Sequence, residues 1–175
     1  HVVVRAPDLG KTATETAAEI DANAELCEKL KKIRAQAGVA MGMIDDPDRA
    51  AQDSPATPFV AMIAPPQDYY DDIGDRMVKA EDCDFLSRLM FMQQMHKTYA
   101  GTSTVCTGIA SRIPGTIVYE ACRPETRDKL EVNFGHPAGV IETEAIVEVE
   151  GNAYAAKRAT LGRTARRIME GQVFI

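Results

Sequence analysis

Two short stretches carry groups suited to a negatively charged ligand. Gly101-Thr102-Ser103-Thr104 sets a flexible backbone and three hydroxyls at the head of a small-residue segment that runs to Ile113 and is stopped by Pro114-Gly115. A helix leaves its first N–H groups unpaired and carries partial positive charge at that end, so such a start is a natural anion site. Lys97 lies just upstream and adds a cation. The same residues also suit an ordinary helix cap. In the second stretch, Gly135-His136-Pro137-Ala138-Gly139, two glycines bracket a His-Pro step. That pattern allows close backbone approach and offers an imidazole that titrates near neutrality. A plain turn between strands would use the same residues, and neither stretch by itself names a reaction.

Other chemistries find less support. The chain has no G-x-S-x-G, G-x-x-x-x-G-K-[ST], H-E-x-x-H or G-x-G-x-x-G, so hydrolase-elbow, P-loop, zincin and dinucleotide readings drop out. Cys27, Cys83, Cys106 and Cys122 include no C-x-x-C pair, and with only His1, His96 and His136 beside them they give no zinc spacing. No metal site is expected, and the thiols read as free, buried or half-buried small hydrophobes. Strand alternation would split Arg163-Thr164-Ala165-Arg166-Arg167 between two faces, and Met90, Met92 and Met95 read as core filler.

The elements that must position these groups follow from periodicity. His1 to Arg5 is a β-branched run that reads as a strand from its first residue, which suggests a fragment of a longer chain. Pro7 to Gly10 is turn chemistry, and Thr12 to Thr16 offers helix caps. Leu26, Leu30 and Ile33 recur at helical spacing within Ala24–Ala35, giving an amphipathic helix that Val39-Ala40-Met41 prolongs or underlies. Asp45 to Pro58 lacks a period and reads as a loop or mobile insertion, and Asp68 to Asp75 as a solvated acidic stretch. Phe59 to Ala64 reads as a buried strand, whereas Asp84 to Met92 fits helix or strand equally. Small residues from Ala100 to Ile113 imply a central helix packed closely on most sides. Lys129–Phe134, Val140–Glu150, Tyr154–Thr160 and Arg163–Ile175 read as strands, with Gly151-Asn152 as a hairpin signal. The expected class is α+β, an antiparallel sheet with one buried small-residue helix.

The chain's 175 residues suit a single domain over 1–175, which at that size buries about 70% of its extended-chain surface. With 20 Lys+Arg against 26 Asp+Glu the formal net charge is -6, and the basic residues are scattered. Nucleic-acid binding, which needs concentrated positive charge, is not expected. No apolar run approaches the roughly 18–20 residues of a membrane span, and no signal-peptide pattern opens the chain, so a soluble cytoplasmic protein is the expectation.

Taken in order, several segments resemble one family. They are Val3-Val4-Arg5-Ala6-Pro7-Asp8-Leu9-Gly10, Ile33-Arg34-Ala35 leading to Val39-Ala40-Met41-Gly42, Ile63-Ala64-Pro65-Pro66-Gln67-Asp68-Tyr69 and His96-Lys97-Thr98-Tyr99-Ala100-Gly101-Thr102. Cys106-Thr107-Gly108, Ile113-Pro114-Gly115-Thr116, Gly135-His136-Pro137-Ala138-Gly139 and Gly162 to Gly171 follow. The set resembles the second half of PrpF-type isomerases, which include 2-methylaconitate cis-trans isomerase and 4-oxalomesaconate tautomerase. The resemblance implies a diaminopimelate-epimerase-like fold of two similar domains, each a curved antiparallel sheet round a central helix, with the active site between them. It implies no cofactor, and proton movement on a small unsaturated di- or tricarboxylate. It places the catalytic Lys and Cys in the first domain, so no catalytic residue transfers to this chain. As partners it implies the missing N-terminal domain and a homodimer. On this reading Lys97, Gly101, Thr102, Ser103, Thr104, Gly135, His136, Pro137, Ala138 and Gly139 hold a substrate carboxylate. A competing reading keeps the fold as a non-catalytic binding or assembly domain.

Overall fold

A computed structural model describes residues 1–151, 153–162 and 166–172. Its organising element is a seven-stranded sheet. Strand β1 (Val2–Arg5) pairs in parallel with β2 (Val60–Ala64), and β2 pairs antiparallel with β5 (Phe85–Phe91). Beyond β5 come β7 (Glu131–His136), β8 (Gly139–Glu150) and β9 (Ala153–Leu161), while the short β6 (Gln94–Met95) folds back on the end of β5. The β5–β7 pairing is parallel, and β7–β8 and β8–β9 are antiparallel. The sheet is therefore mixed and not wholly antiparallel. Parallel neighbours need a long crossover, and the helices between β1 and β2 and between β5 and β7 supply it.

Residues 84–92, ambiguous by pattern, form a strand because they lie mid-sheet. Leu86 and Met90 enter one core with Val60, Met62 and Ala64, while Phe85 and Leu89 enter the other with Ala61, Ile63, Val132 and Phe134. A strand buried on both faces reads as a continuous apolar run, which masks its period of two. The first core is closed by α1 (Ala17–Asp21) and α2 (Ala24–Ala40), through Ala17, Ile20, Leu26 and Leu30. Thr16 starts α1 with a capping box: its hydroxyl accepts from the Glu19 N–H (3.2 Å), and the Glu19 carboxylate accepts from the Thr16 N–H (2.8 Å).

Two stretches expected to be loose are built in. Arg34 is 7% exposed on α2, whereas Ile33, assigned to the buried stripe, is only half-buried. The Arg34 guanidinium donates to the carbonyls of Ser54 (2.6 Å), Thr57 (3.1 Å) and Ala50 (3.2 Å). It thereby fastens residues 45–58 as a 3-10 turn (Pro47–Arg49) and a short helix α3 (Ala50–Asp53) over Ile44 and Ala35. The acidic 68–75 stretch forms a hairpin of β3 (Tyr69–Asp71) and β4 (Arg76–Val78), with Tyr69 2% and Asp71 1% exposed. The Asp71 carboxylate accepts from the N–H groups of Ile73 (3.0 Å) and Gly74 (2.8 Å) inside the turn and faces Arg76 Nε at 3.4 Å.

The second core is covered by α4 (Gly101–Ala110) and α5 (Ile117–Ala121). Phe85 stacks on Phe134, and Tyr99 meets Phe134 edge-on at 5.0 Å. Helix α4 is enclosed on one side only: Ser103, Thr104, Thr107 and Gly108 are buried, whereas Thr102 and Cys106 are exposed. Cys106 is thus the exposed member of four free thiols, the other three being buried. Of the final strands expected from the sequence, Ala153–Leu161 is present, while residues 166–172 are largely exposed and carry no strand. Asn152, residues 163–165 and residues 173–175 lie outside the described residues.

The seating of α4 turns on Gly108, where an added Cβ would stand 2.9 Å from Thr143 Cγ2 on β8. Helix propensity favours Ala over Gly by about 1 kcal/mol, whereas forcing a methyl into a packed contact costs about 1–3 kcal/mol. Thr143 is β-branched and stiff, so the packing cost prevails. Gly108→Ala should therefore destabilise the fold by a net of up to about 2 kcal/mol, read as a lower urea midpoint with an unchanged m-value.

Candidate functional site

The N-terminus of α4 is uncapped. Ala100 at the N-cap offers no side-chain acceptor, and the first helical bond runs from the Thr104 N–H to the Ala100 carbonyl (2.9 Å). The N–H groups of Gly101, Thr102 and Ser103 precede that bond and have no acceptor among the described residues. Just before the helix, the buried Tyr99 hydroxyl pairs with Ser87 Oγ on β5 (2.8 Å) and with Thr107 Oγ1, nearly two turns into α4 (3.0 Å). This network ties the helix start to the centre of the sheet.

Helical geometry divides the four residues that the sequence groups together. Gly101 and Thr104, three apart, face a cleft of about 510 Å³ that they share with Thr98, Tyr99, His136, Ile141, Leu161 and Gly162. Thr102 and Ser103 face a separate groove of about 260 Å³ with Cys106, His1, Met41, Met43 and Phe59, where His1 Nε2 and Ser103 Oγ are hydrogen-bonded at 2.8 Å. The helix tip stands between the two. Lys97 is exposed, lines neither cavity and makes no ion pair among the described residues.

The second stretch is the tight connection between β7 and β8. His136 pairs with Gly139 across the two-residue turn Pro137-Ala138. Its glycines serve packing: a Cβ on Gly135 would stand 2.6 Å from Leu86 Cδ2 and 2.8 Å from Tyr69 Cε1, and Gly139 holds φ at +107° with Arg76 close by. The Tyr69 hydroxyl donates to the His136 carbonyl (2.9 Å) and also meets the Gly139 carbonyl. The Ala138 N–H points to His136 Nδ1 (3.3 Å). With these groups engaged, the part of the turn that reaches the cleft is the His136 ring.

That ring is 6% exposed. Burial, with the nearby Arg88 guanidinium, pushes its pKa down to about 4, while Asp71 and the Thr98 backbone pull weakly the other way. His136 is therefore neutral at pH 7, and with Nδ1 accepting from Ala138 its proton sits on Nε2. The cleft thus holds a helix N-terminus and a neutral imidazole donor. Arg88, fully buried behind them, stacks over the Tyr69 ring at 4.9 Å and donates to the Glu15 carbonyl at 2.7 Å. Its own pKa is pushed down to about 10 by burial. Among the described residues no cluster of three or more His, Cys, Asp or Glu side chains is placed to hold a metal ion, and no helix is long and apolar enough to cross a membrane. Sequence reasoning missed Thr98, Tyr99 and Ile141 as cleft walls, although their adjacency to the two motifs was the available signal, and Leu161, which only the β8–β9 pairing brings to the cleft.

The PrpF protein family profile matches residues 1–175, and the chain belongs to that family. It is 47% identical over 174 residues to the 3-methylitaconate isomerase of Eubacterium barkeri, covering 99% of this chain and 44% of that protein. It is 37% identical over 172 residues to the 2-methyl-aconitate isomerase of Shewanella oneidensis, covering 98% of this chain and 42% of the relative. Among solved structures it matches a crystal structure of methylitaconate-delta-isomerase with a TM-score of 0.86 and 47% identity, over 97% of this chain and 42% of the other. The chain thus spans less than half the length of these relatives.

A buried neutral imidazole makes stability depend on pH. The unfolded chain takes up the proton near pH 6.5 and the folded chain only near 4, so stability is full above about 6.5 and declines as pH falls toward 4. The His136 share of this loss should be on the order of 3 kcal/mol. Urea midpoints at pH 7.5 and pH 5 should therefore differ less in His136→Gln than in the parent. A parent imidazole titrating near 6.5 by NMR would refute the assignment.

Proposed function

We propose that this chain is one domain of a two-domain, cofactor-independent isomerase that moves a proton on a small unsaturated di- or tricarboxylate. The carrying observation is the meeting, in one cleft, of the uncapped start of α4 with the neutral His136 ring. The names of the relatives, isomerases of methylitaconate, methylaconitate and, at 29% identity, (4E)-oxalomesaconate, support this substrate class. The share of those relatives that the chain covers supports a second domain of comparable size; that the two pack in a diaminopimelate-epimerase-like arrangement is part of the proposal.

In this reading the domain supplies the wall that holds negative charge. A substrate carboxylate accepts from the N–H groups of Gly101, Thr102 and Ser103, where the helix dipole opposes the repulsion of a chain with net charge -6. Removing a proton next to a carboxylate leaves an enolate whose charge is spread over the conjugated system. Preorganised donors stabilise that charge more than the ground state, and His136 Nε2–H adds one without introducing an acid that would compete for the proton. The base comes from the other domain. Gly135, Pro137, Ala138 and Gly139 act by placing the His136 ring, Thr104 by shaping the cleft, and Lys97 by long-range attraction at the rim.

The test is turnover of the longer protein that contains this chain, on methylitaconate, methylaconitate and oxalomesaconate, with deuterium uptake from D₂O as the readout of proton transfer. His136→Ala should lower kcat/KM about tenfold or more, and Gly101→Pro, which removes one donor N–H at the first helical position while the preceding Ala100 is already extended, severalfold. Unchanged kcat/KM in both variants would reject the placement, and absence of turnover on all three compounds would favour the non-catalytic reading.

A further inference from the structure

A second anion-binding feature lies at the far end of α4. Arg112, two residues past the helix, and Arg127, in the loop before β7, line one cavity of about 350 Å³ together with Asp128, Lys129, Leu130, Ala145, Ile146 and Val147. Each arginine is half-anchored. Arg112 Nη2 donates to the Glu131 carbonyl (2.7 Å), and Arg127 Nη2 donates to the Cys122 carbonyl (3.1 Å) while its guanidinium stacks over Tyr119 at 4.4 Å.

The remaining donors are idle. Nε and Nη1 of Arg112 and Nε of Arg127 are buried and have no hydrogen-bond partner, and among the described residues no carboxylate makes an ion pair with either guanidinium. Other arginines are more fully engaged. Arg123 donates from Nε to the Cys83 carbonyl (2.8 Å) and from Nη2 to Ala80, and Arg34 donates to three carbonyls, with its Nε alone left unpaired. The two guanidiniums line this one cavity together. Like charges brought together around unmade donors are costly unless an acceptor joins them.

From this convergence we propose that the cavity between Arg112, Arg127 and Lys129 is a binding site for a small oxyanion, a carboxylate or phosphate group. Guanidinium forks match the paired oxygens of such groups, and the cavity admits a molecule of a few heavy atoms beyond one anionic head. Ile146 and Val147 of β8, which face the β-bulge at Lys157 of β9, form one wall of it. Asp128 at the rim sets a limit on the charge the site tolerates. A ten-residue helix is about 15 Å long, so this site and the His136 cleft stand at opposite ends of α4 and do not overlap. The inference is independent of the proposed isomerisation.

Calorimetric titration of the full chain with inorganic phosphate and with malonate, each against sodium chloride at equal ionic strength, tests it. Saturable binding of at least one of the two is expected, weakened about tenfold or more by Arg112→Gln or Arg127→Gln and severalfold by Lys129→Gln, and unaffected by Thr102→Ala. Preference for phosphate or malonate tells a phosphorylated from a carboxylate ligand. If an arginine variant fails to fold, the parent still decides. The Nε–H NMR signals of Arg112 and Arg127 should shift with added anion, and static signals would overturn the site. No saturable binding above the chloride control would overturn it as well, as would equal affinity in folded Arg112→Gln and Arg127→Gln.

Discussion

The structure depends on strands β2 and β5 being buried on both faces. Alternate residues of each go to opposite cores, so neither face can be left to water and helices must cover both. The need for two covers explains the chain order. One crossover after β1 carries α1 and α2 over the first face, with α3 packed against α2, and another after β5 carries α4 and α5 over the second. Parallel pairing at β1–β2 and β5–β7 follows from those crossovers.

The site inherits its geometry from the same constraint. Because β5 pairs with β7, the hairpin that ends β7 arrives beside the segment that leaves β5 and enters α4, which brings His136 to Thr98, Tyr99 and Gly101. Tyr99 locks the approach by bonding both Ser87 on β5 and Thr107 on α4. The β3–β4 hairpin closes the other side of β7, where Tyr69 fills the space that Gly135 leaves and holds the turn carbonyls. Burial then sets the chemistry: the depressed pKa of His136 makes it a neutral donor in place of a cation. An anionic ligand would be met mainly by dipoles, which fits a chain whose net charge is negative.

Polar groups buried for structural reasons recur across the fold and were the hardest to foresee. Arg34 converts an aperiodic segment into a fastened one by bonding three carbonyls, and Asp71 pulls an acidic stretch inward by accepting two turn N–H groups. Composition assigns both stretches to solvent, because it counts charge and cannot count the backbone partners that offset burial. Arg112 and Arg127 keep buried donors without partners, as Nε of Arg34 does, and they share one cavity.

From the sequence by itself one could read the α+β class, the helix over 24–40 to within a few residues, the buried strand at 60–64, the long alternating strand at 139–150, the helix starting at Gly101 and the family. These depend on periodicity, caps and short motifs, which are local. Tertiary structure decided what is not local: that residues 85–91 are a strand, that the sheet is mixed, and that Gly101 and Thr104 face His136 while Thr102 and Ser103 face away. The last point has a simple cause. Four consecutive residues of a helix spread over about 300° around its axis, so a motif contiguous in sequence is divided between two cavities once the helix is laid on β8.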